Sequence, residues 1–217
     1  PSVTLQMKAS EGLLFTLTSS AILGARNSVQ FIGFADQQDT ILASTLRYKN
    51  RQVDIDNFNS YNTELKARYD HGLFGINNIL AAGLRYTQND LHRRQQGVGS
   101  TGTDFDLSVA NNFFGRDIHF KTKNVAFFVE NLFKINSRFS VSPGFRVENG
   151  KSDMTGRISY LPDEKIPQQV KHYYLLPGIS SQFSLNSLLY LYAGYSQAYR
   201  PIVLADLIPG SVLEEND

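Results

Sequence analysis

The side chains most able to do chemistry in this sequence are arginines lying outside its apolar runs. Arg47 and Arg51 share one polar stretch, Arg93 and Arg94 stand side by side in another, and Arg200 lies near the end. A guanidinium is planar, permanently charged and grips a carboxylate through two parallel N–H donors, so such residues can hold an anion. Other chemistries find less support. His71, His92, His119 and His172 are scattered, with neither the i, i+4 repeat nor the Cys/His spacing of a metal site. Asp54-Ile55-Asp56-Asn57 offers oxygen ligands to Ca²⁺ but lacks the glycine and terminal glutamate of an EF-hand, so a solvated loop is the better reading. Gly97-Val98-Gly99-Ser100-Thr101-Gly102 is glycine-rich but is not followed by Lys-Ser/Thr. It is no phosphate-cradling loop, and is expected to be a mobile connection. There is no G-x-S-x-G elbow and no cysteine. No catalytic residue, no metal site and no cofactor is expected.

The elements that must carry these arginines are strands. From Phe139, the residues Phe139, Val141, Pro143, Phe145 and Val147 alternate with Ser140, Ser142, Gly144, Arg146 and Glu148. Successive side chains of a strand point to opposite faces, so this run has one apolar and one polar, charged face. Tyr61, Leu65, Ala67 and Tyr69 oppose Asn62, Glu64, Lys66 and Arg68 in the same way. The pattern predicts eight strands, at 2–9, 13–23, 58–69, 76–89, 118–133, 138–149, 170–184 and 188–199. Short turns at about 10–12, 70–75, 135–137 and 185–187 alternate with long polar connections at about 24–57, 90–117 and 150–168. Four of the five arginines fall in those long connections, and Arg200 follows the last strand.

Composition narrows the setting. The formal charge of +1 gives no global attraction to nucleic acid. No run of about 18–20 apolar residues is present, which excludes a helical membrane span. A transmembrane barrel remains open, because only every second residue of its strands meets lipid, and such barrels join strands by short periplasmic turns and longer extracellular loops. Several predicted strands reach 12 to 16 residues, where soluble strands average about 5–6. A soluble β-sandwich or propeller would turn more often. On the barrel reading the apolar face meets lipid and Glu64, Lys66, Arg68, Arg85, Arg146 and Glu148 line the lumen. Tyr61, Tyr69, Phe133, Phe139, Tyr190 and Tyr192 suit the aromatic girdles at the interfaces. The chain opens at Pro1 without a leader pattern and ends in Leu213-Glu214-Glu215-Asn216-Asp217. The expectation is an internal piece of a longer protein, an open sheet cut from a larger barrel.

Several stretches carry a family likeness. Leu23-Gly24-Ala25-Arg26-Asn27-Ser28-Val29 precedes Arg47-Tyr48-Lys49-Asn50-Arg51-Gln52-Val53-Asp54. Asn124-Val125-Ala126-Phe127-Phe128-Val129-Glu130-Asn131, Pro143-Gly144-Phe145-Arg146-Val147-Glu148 and Tyr192-Ala193-Gly194-Tyr195-Ser196-Gln197-Ala198-Tyr199-Arg200-Pro201 follow. Together they resemble the barrel of TonB-dependent outer-membrane receptors, and most of all ferric-dicitrate receptors of the Bacteroidetes type. The resemblance implies an all-β fold: about eight up-and-down antiparallel strands of a transmembrane barrel of about 22 strands whose lumen is plugged. The whole of 1–217 would be partial barrel, with the plug domain and the C-terminal strands outside it. It implies a non-enzymatic receptor that takes up a ferric chelate, such as ferric citrate or a similar siderophore, energised by the TonB complex. Its partners would be the chelate, its own N-terminal plug, TonB through that plug, and outer-membrane lipid and lipopolysaccharide. Since such chelates are anionic, the cations Arg47, Arg51, Arg93, Arg94 and Arg200 become the candidate ligand contacts. A passive porin-like channel and a soluble β-rich binding or adhesion module are the alternatives.

Overall fold

In the computed structural model, which describes residues 1–208 apart from 74 and 167, eight strands form one antiparallel sheet in chain order. They are β1 (Ser2–Ser10), β2 (Leu13–Gln30), β3 (Gln52–Leu73), β4 (Ile76–Val98), β5 (Phe114–Phe133), β6 (Phe139–Ile158), β7 (Gln168–Ser184) and β8 (Tyr190–Ser196). A single helical turn, α1 (Leu204–Leu207), follows. Every strand pairs with its sequence neighbours, and β1 and β8 do not pair with each other among the described residues, so the sheet is an open up-and-down wall. The acidic tail 213–217 lies outside the described residues.

The eight strands and the alternation of short and long connections match the expectation. The boundaries do not. The paired strands run further toward the long connections, which shrink to 31–51, 99–113 and 159–167. β4 is 23 residues long and β3 is 22, about twice what a tilted strand needs to cross a bilayer. The extra length is polar on one face, which is why hydropathy alone assigns it to loops. Pairing holds it in the sheet: Asp56 lies opposite Arg93, and Arg94 opposite Asp117.

Register builds rows across the wall. Leu5, Leu17, Leu65, Leu84, Phe127, Val147 and Leu175 follow one another across seven strands on the outer face. One residue away, on the inner face, Thr18, Glu64, Arg85, Ala126, Glu148 and Tyr174 form the neighbouring row. From the row of Leu73 and Ile76 to that of Thr63 and Tyr86 the outer face is mainly apolar. That is about 33 Å along the strand at ~3.3 Å per residue. With a tilt of about 45° it gives the ~25 Å apolar band of a transmembrane barrel.

Nearer the long connections the polarity of the two faces reverses. Outward now are Asn57, His92, His119 and Thr155, in one row, and Asn59, Asp90, Lys121 and Asp153 in the next. Inward are Phe58, Leu91, Phe120 and Met154. On this concave side Ile118, Phe120, Met154 and Ile158 pack with Ile166, Leu204 and Leu207 into the main buried apolar cluster. The chain after β8 supplies part of it. It leaves the wall, stacks Tyr199 on Tyr174 with 4.7 Å between ring centroids, and lays α1 against that cluster.

Candidate functional site

The long connections and the inner face below them are where an anion arriving from outside would be met, and the five candidate arginines are distributed unequally over this region. Arg51 is 5 % exposed. Its guanidinium bonds Asp39 Oδ2 at 2.8 Å, donates from Nε to the carbonyl of Gly102 at 2.8 Å, and lies over Tyr48 with 5.3 Å to the ring centroid. The backbones of Arg51, Gly99 and Ser100 are hydrogen-bonded to one another, and Asn50 Nδ2 donates to the Gly99 carbonyl. The glycine-rich stretch expected to hang as a free loop is thus tied to the first long connection. Arg51 is the clip, since a buried guanidinium with five donors can join a carboxylate and a carbonyl at once.

Arg47 is exposed and forms no ion pair among the described residues; the backbone around it is held by the Leu42–Arg47 bridge. Arg200 pairs with Asp206 at 2.8 Å, at the start of the segment that crosses the inner face. Arg93 and Arg94 lie within β4 rather than in a loop. Because alternate residues of a strand point to opposite faces, these sequence neighbours cannot act on one ligand. Arg93 is inward with Asp56, and Arg94 lies in the outward row of Ile55 and Asp117, over the Phe114 ring at 5.6 Å.

The pair formed instead is Arg93 with Arg26, 67 residues apart in sequence. Both guanidiniums reach Asp56, which is 2 % exposed: Arg26 through Nη2, and Arg93 through Nε at 3.3 Å. Two cations on one carboxylate leave a net positive charge at the loop side of the concave face. Asp56 also answers the Ca²⁺ reading of 54–57. These residues lie in β3, Asp54 accepts from Gln30, Gln52 and the Gln96 backbone, and Asp56 is occupied by the two arginines. The parity of Arg26 and Asp56 in their strands was the available sequence signal. The polar composition of 24–57 masks it, because that stretch reads as a connection.

Deeper along the inner wall the charges pair with each other. Arg85 Nε donates to Glu64 Oε2 at 2.8 Å. Glu148, 3 % exposed, accepts from both Arg146 and Asn124, and Asn124 Oδ1 in turn meets His172 Nε2 at 3.0 Å. Gly83 lets the Phe128 ring lie against the wall, since a Cβ there would stand 2.4 Å from Phe128 Cζ. On the outer face, His92 and His119 stack with 3.9 Å between centroids, His92 bonding Asp117 at 2.8 Å. Sequence spacing gave no hint of that meeting, which register alone produces. No group of three or more metal-ligating side chains occurs among the described residues.

At the segment after β8, the Val203 backbone N–H donates to Asp206 Oδ2 at 2.9 Å, and with the Arg200 guanidinium it holds the Asp206 carboxyl below the usual carboxylate range.

Residues 3–216 match the family model described as TonB dependent receptor-like, beta-barrel. No curated protein sequence matches the chain. Among solved structures, the unliganded ferric citrate transporter FecA superposes with a TM-score of 0.70 at 16 % identity, covering 89 % of this chain and 26 % of that one. The copper transporter OprC gives 0.68 at 12 % identity, over 90 % and 29 %. The ferric-catecholate import receptor Fiu of E. coli K12 gives 0.62 at 11 % identity, over 90 % and 32 %. At these identities the likeness is one of fold. The chain spans about a quarter to a third of the length of these structures.

Proposed function

The chain belongs to the TonB-dependent receptor-like β-barrel family of the bacterial outer membrane, and from that premise we propose that it is part of the wall of an uptake receptor for a ferric chelate. The whole receptor then has a larger closed barrel, since an open wall with two unpaired edges is not tolerated in lipid. A plug domain lies elsewhere in the protein and transmits the work of the TonB complex. The cargo is ferric citrate or a similar anionic siderophore, and the outer wall meets lipid and lipopolysaccharide.

The observation that supports this reading is the inward Arg26–Asp56–Arg93 group, with a surplus cation at the loop side of the concave face. Arg47 lies exposed in the first long connection above it. These residues suit a carboxylate-rich chelate, which guanidinium forks bind in bidentate fashion. Arg51 supports the loops that present them. Arg200 shapes the segment crossing the inner face, and Arg94, on the outer face, is the least suited to contact the cargo. The test is ⁵⁵Fe-citrate binding and uptake by cells carrying the full-length receptor, beside R47A/R93Q. Weakened binding in the variant with normal receptor abundance is expected. Wild-type cells that ignore ferric citrate but take up a different chelate, haem or cobalamin would reject this cargo, and uptake independent of TonB would reject the active receptor.

A further inference from the structure

In the inward apolar row of the loop-side half, one residue is left bare. Phe58, Leu91, Phe120 and Met154 lie opposite one another on β3, β4, β5 and β6. Phe120 and Met154 are buried in the cluster that α1 joins, and Leu91 packs against that cluster. Phe58 takes no part in it and is 40 % exposed. Its ring nevertheless has a built seat. The residue opposite on β2 is Gly24, where a Cβ would stand 2.3 Å from Phe58 Cε2 and 2.5 Å from Cζ. The ring therefore rests against the β2 backbone, and any larger residue at 24 would lift it away.

The neighbouring inward rows give this ring its setting. One row toward the loops stand Arg26, Asp56 and Arg93, and the Arg26 side chain, two residues along β2 from Gly24, is 67 % exposed. One row toward the turns, Ser60 Oγ donates to Asn89 Oδ1 at 2.6 Å. Side chains two apart on a strand share a face and lie about 6–7 Å from one another. A cationic row, an aromatic ring and a row of hydroxyl and amide groups therefore succeed one another on the lumen wall at the spacing of the parts of one small molecule. A carboxylate held by Arg26 places whatever is attached to it over Phe58.

We propose that Phe58 is a specificity-determining residue of the chelate site: it stacks on an aromatic ring of the organic ligand around the iron, so that an anionic chelate bearing such a ring is preferred to ferric citrate, which has none. The inference rests on the chelate reading above and narrows the class of chelate. Aromatic rings gain from offset or edge-to-face contact beyond the area they bury, and covering the exposed part of Phe58 removes apolar surface from water. A citrate chelate presents carboxylate and hydroxyl oxygens only. It satisfies Arg26 and leaves Phe58 wet. A ligand with both a carboxylate and a ring engages the two rows together. A patch made for carboxylates alone would need neither the ring nor the glycine that seats it.

The test uses the purified full-length receptor and two ⁵⁵Fe probes: ferric citrate, and ferric 2,3-dihydroxybenzoate, which holds iron through its catechol oxygens and leaves its carboxylate free. The wild type is expected to bind the aryl chelate at least about ten-fold more tightly. F58L, which keeps apolar bulk without a ring, should lower that ratio of affinities at least about five-fold, and F58Y should restore it. G24V, which unseats the ring without removing it, should lower the ratio as well. Folding of each variant is checked by the heat-dependent gel shift of the barrel. Equal binding of the two chelates by the wild type, or a ratio unchanged in both F58L and G24V, would overturn the proposal. R26Q separates that outcome from failure of the chelate reading. It should weaken the hold on both probes. An R26Q receptor that binds both as the wild type does, or a wild type that binds neither, would reject the guanidinium site and this inference with it, whereas a failure confined to F58L and G24V leaves that site standing.

Discussion

On the turn side of the wall Leu65, Leu84 and Phe127 point outward and Glu64, Arg85 and Glu148 inward; on the loop side His92, His119 and Lys121 point outward and Leu91, Phe120 and Met154 inward. One continuous set of strands therefore serves two solvents. Where the outside is lipid, the strand turns its apolar residues out and pairs its charges in the lumen. Where the outside is water, the same strand turns its apolar residues in and builds a small protein core with the segment after β8. The crossover needs no break in pairing, only a change in which parity carries the apolar residues. β5 shows it plainly: Ile118 and Phe120 are apolar at even numbers, Val125, Phe127 and Val129 at odd ones.

The two halves respond differently to a lost methyl group. Met154 is fully buried in the loop-side cluster. Met154→Ala leaves a cavity lined by neighbours that cannot follow it inward, and is expected to cost about 2–5 kcal/mol. Leu84, 50 % exposed on the outer face, is covered by acyl chains that flow into any space vacated. Leu84→Ala therefore carries no cavity term, only the water-to-lipid transfer of the atoms removed, and is expected to cost about 2 kcal/mol, at or below the low end of the Met154→Ala range. Urea unfolding of the full-length receptor in lipid vesicles measures both, and equal losses would abolish the distinction between a lipid-wetted and a protein-packed half.

Added charge sharpens the same contrast. Val129 lies in the outer row of Ala67, Ala82 and Phe145, near the middle of the band. An arginine there is expected to cost about 2–4 kcal/mol, as at a bilayer midplane. Asn62 is inward, beside Thr87, and Asn62→Arg should change stability by less than ~1 kcal/mol, since a polar lumen solvates it. A tolerated Val129→Arg would mean that this face meets something other than lipid.

The inward charges can be weighed against that belt. Glu148 is buried and serves both Arg146 and Asn124. Glu148→Gln keeps the shape but removes the anion that Arg146 faces, and is expected to cost about 1–3 kcal/mol, the range for a hydrogen bond to a charged partner. Arg146 is itself 30 % exposed, which places the loss toward the lower end through water screening. A neutral result in urea unfolding would show that the lumen wets this pair fully.

Much of this architecture is readable in the residues. Strand count, antiparallel order and the alternation of short and long connections follow from Phe139–Val147-type runs and the turn residues between them, and the family likeness follows from stretches such as Tyr195 to Pro201. The loop-side half is not legible, for a physical reason: no single apolar periodicity runs the length of a strand, because the parity reverses there. Residues such as Arg26, Asp56, Arg93 and Arg94 consequently read as loop, although their partners across β2 to β5 hold them in strands. The candidate site follows the same division. That guanidiniums gather on the loop side is legible from composition and position. Which arginines share a carboxylate depends on register between strands 30 or more residues apart, and no local spacing encodes it.

The smallest expected effect concerns the segment that closes the loop-side core. Asp206 accepts the Val203 N–H and pairs with Arg200, and its carboxyl is held below the ordinary value. A group whose folded value is depressed adds stability above its unfolded pKa, about 3.9 for aspartate, and that contribution disappears as pH falls through the lower folded value. Docking of the segment is therefore pH-independent near neutrality and loosens only in acid. Amide exchange at Leu204 and Leu207, followed from pH 7 downward in the full-length receptor, should show protection falling below about pH 4. Asp206→Asn, which keeps an oxygen for the Val203 N–H but loses the ion pair, should lower protection slightly at neutral pH and flatten its acid dependence. The turn-side belt, with no such carboxylate on its lipid face, should keep its protection across the same range. If the belt loosens together with the segment, the acid effect belongs to the barrel as a whole and Asp206 is not its source.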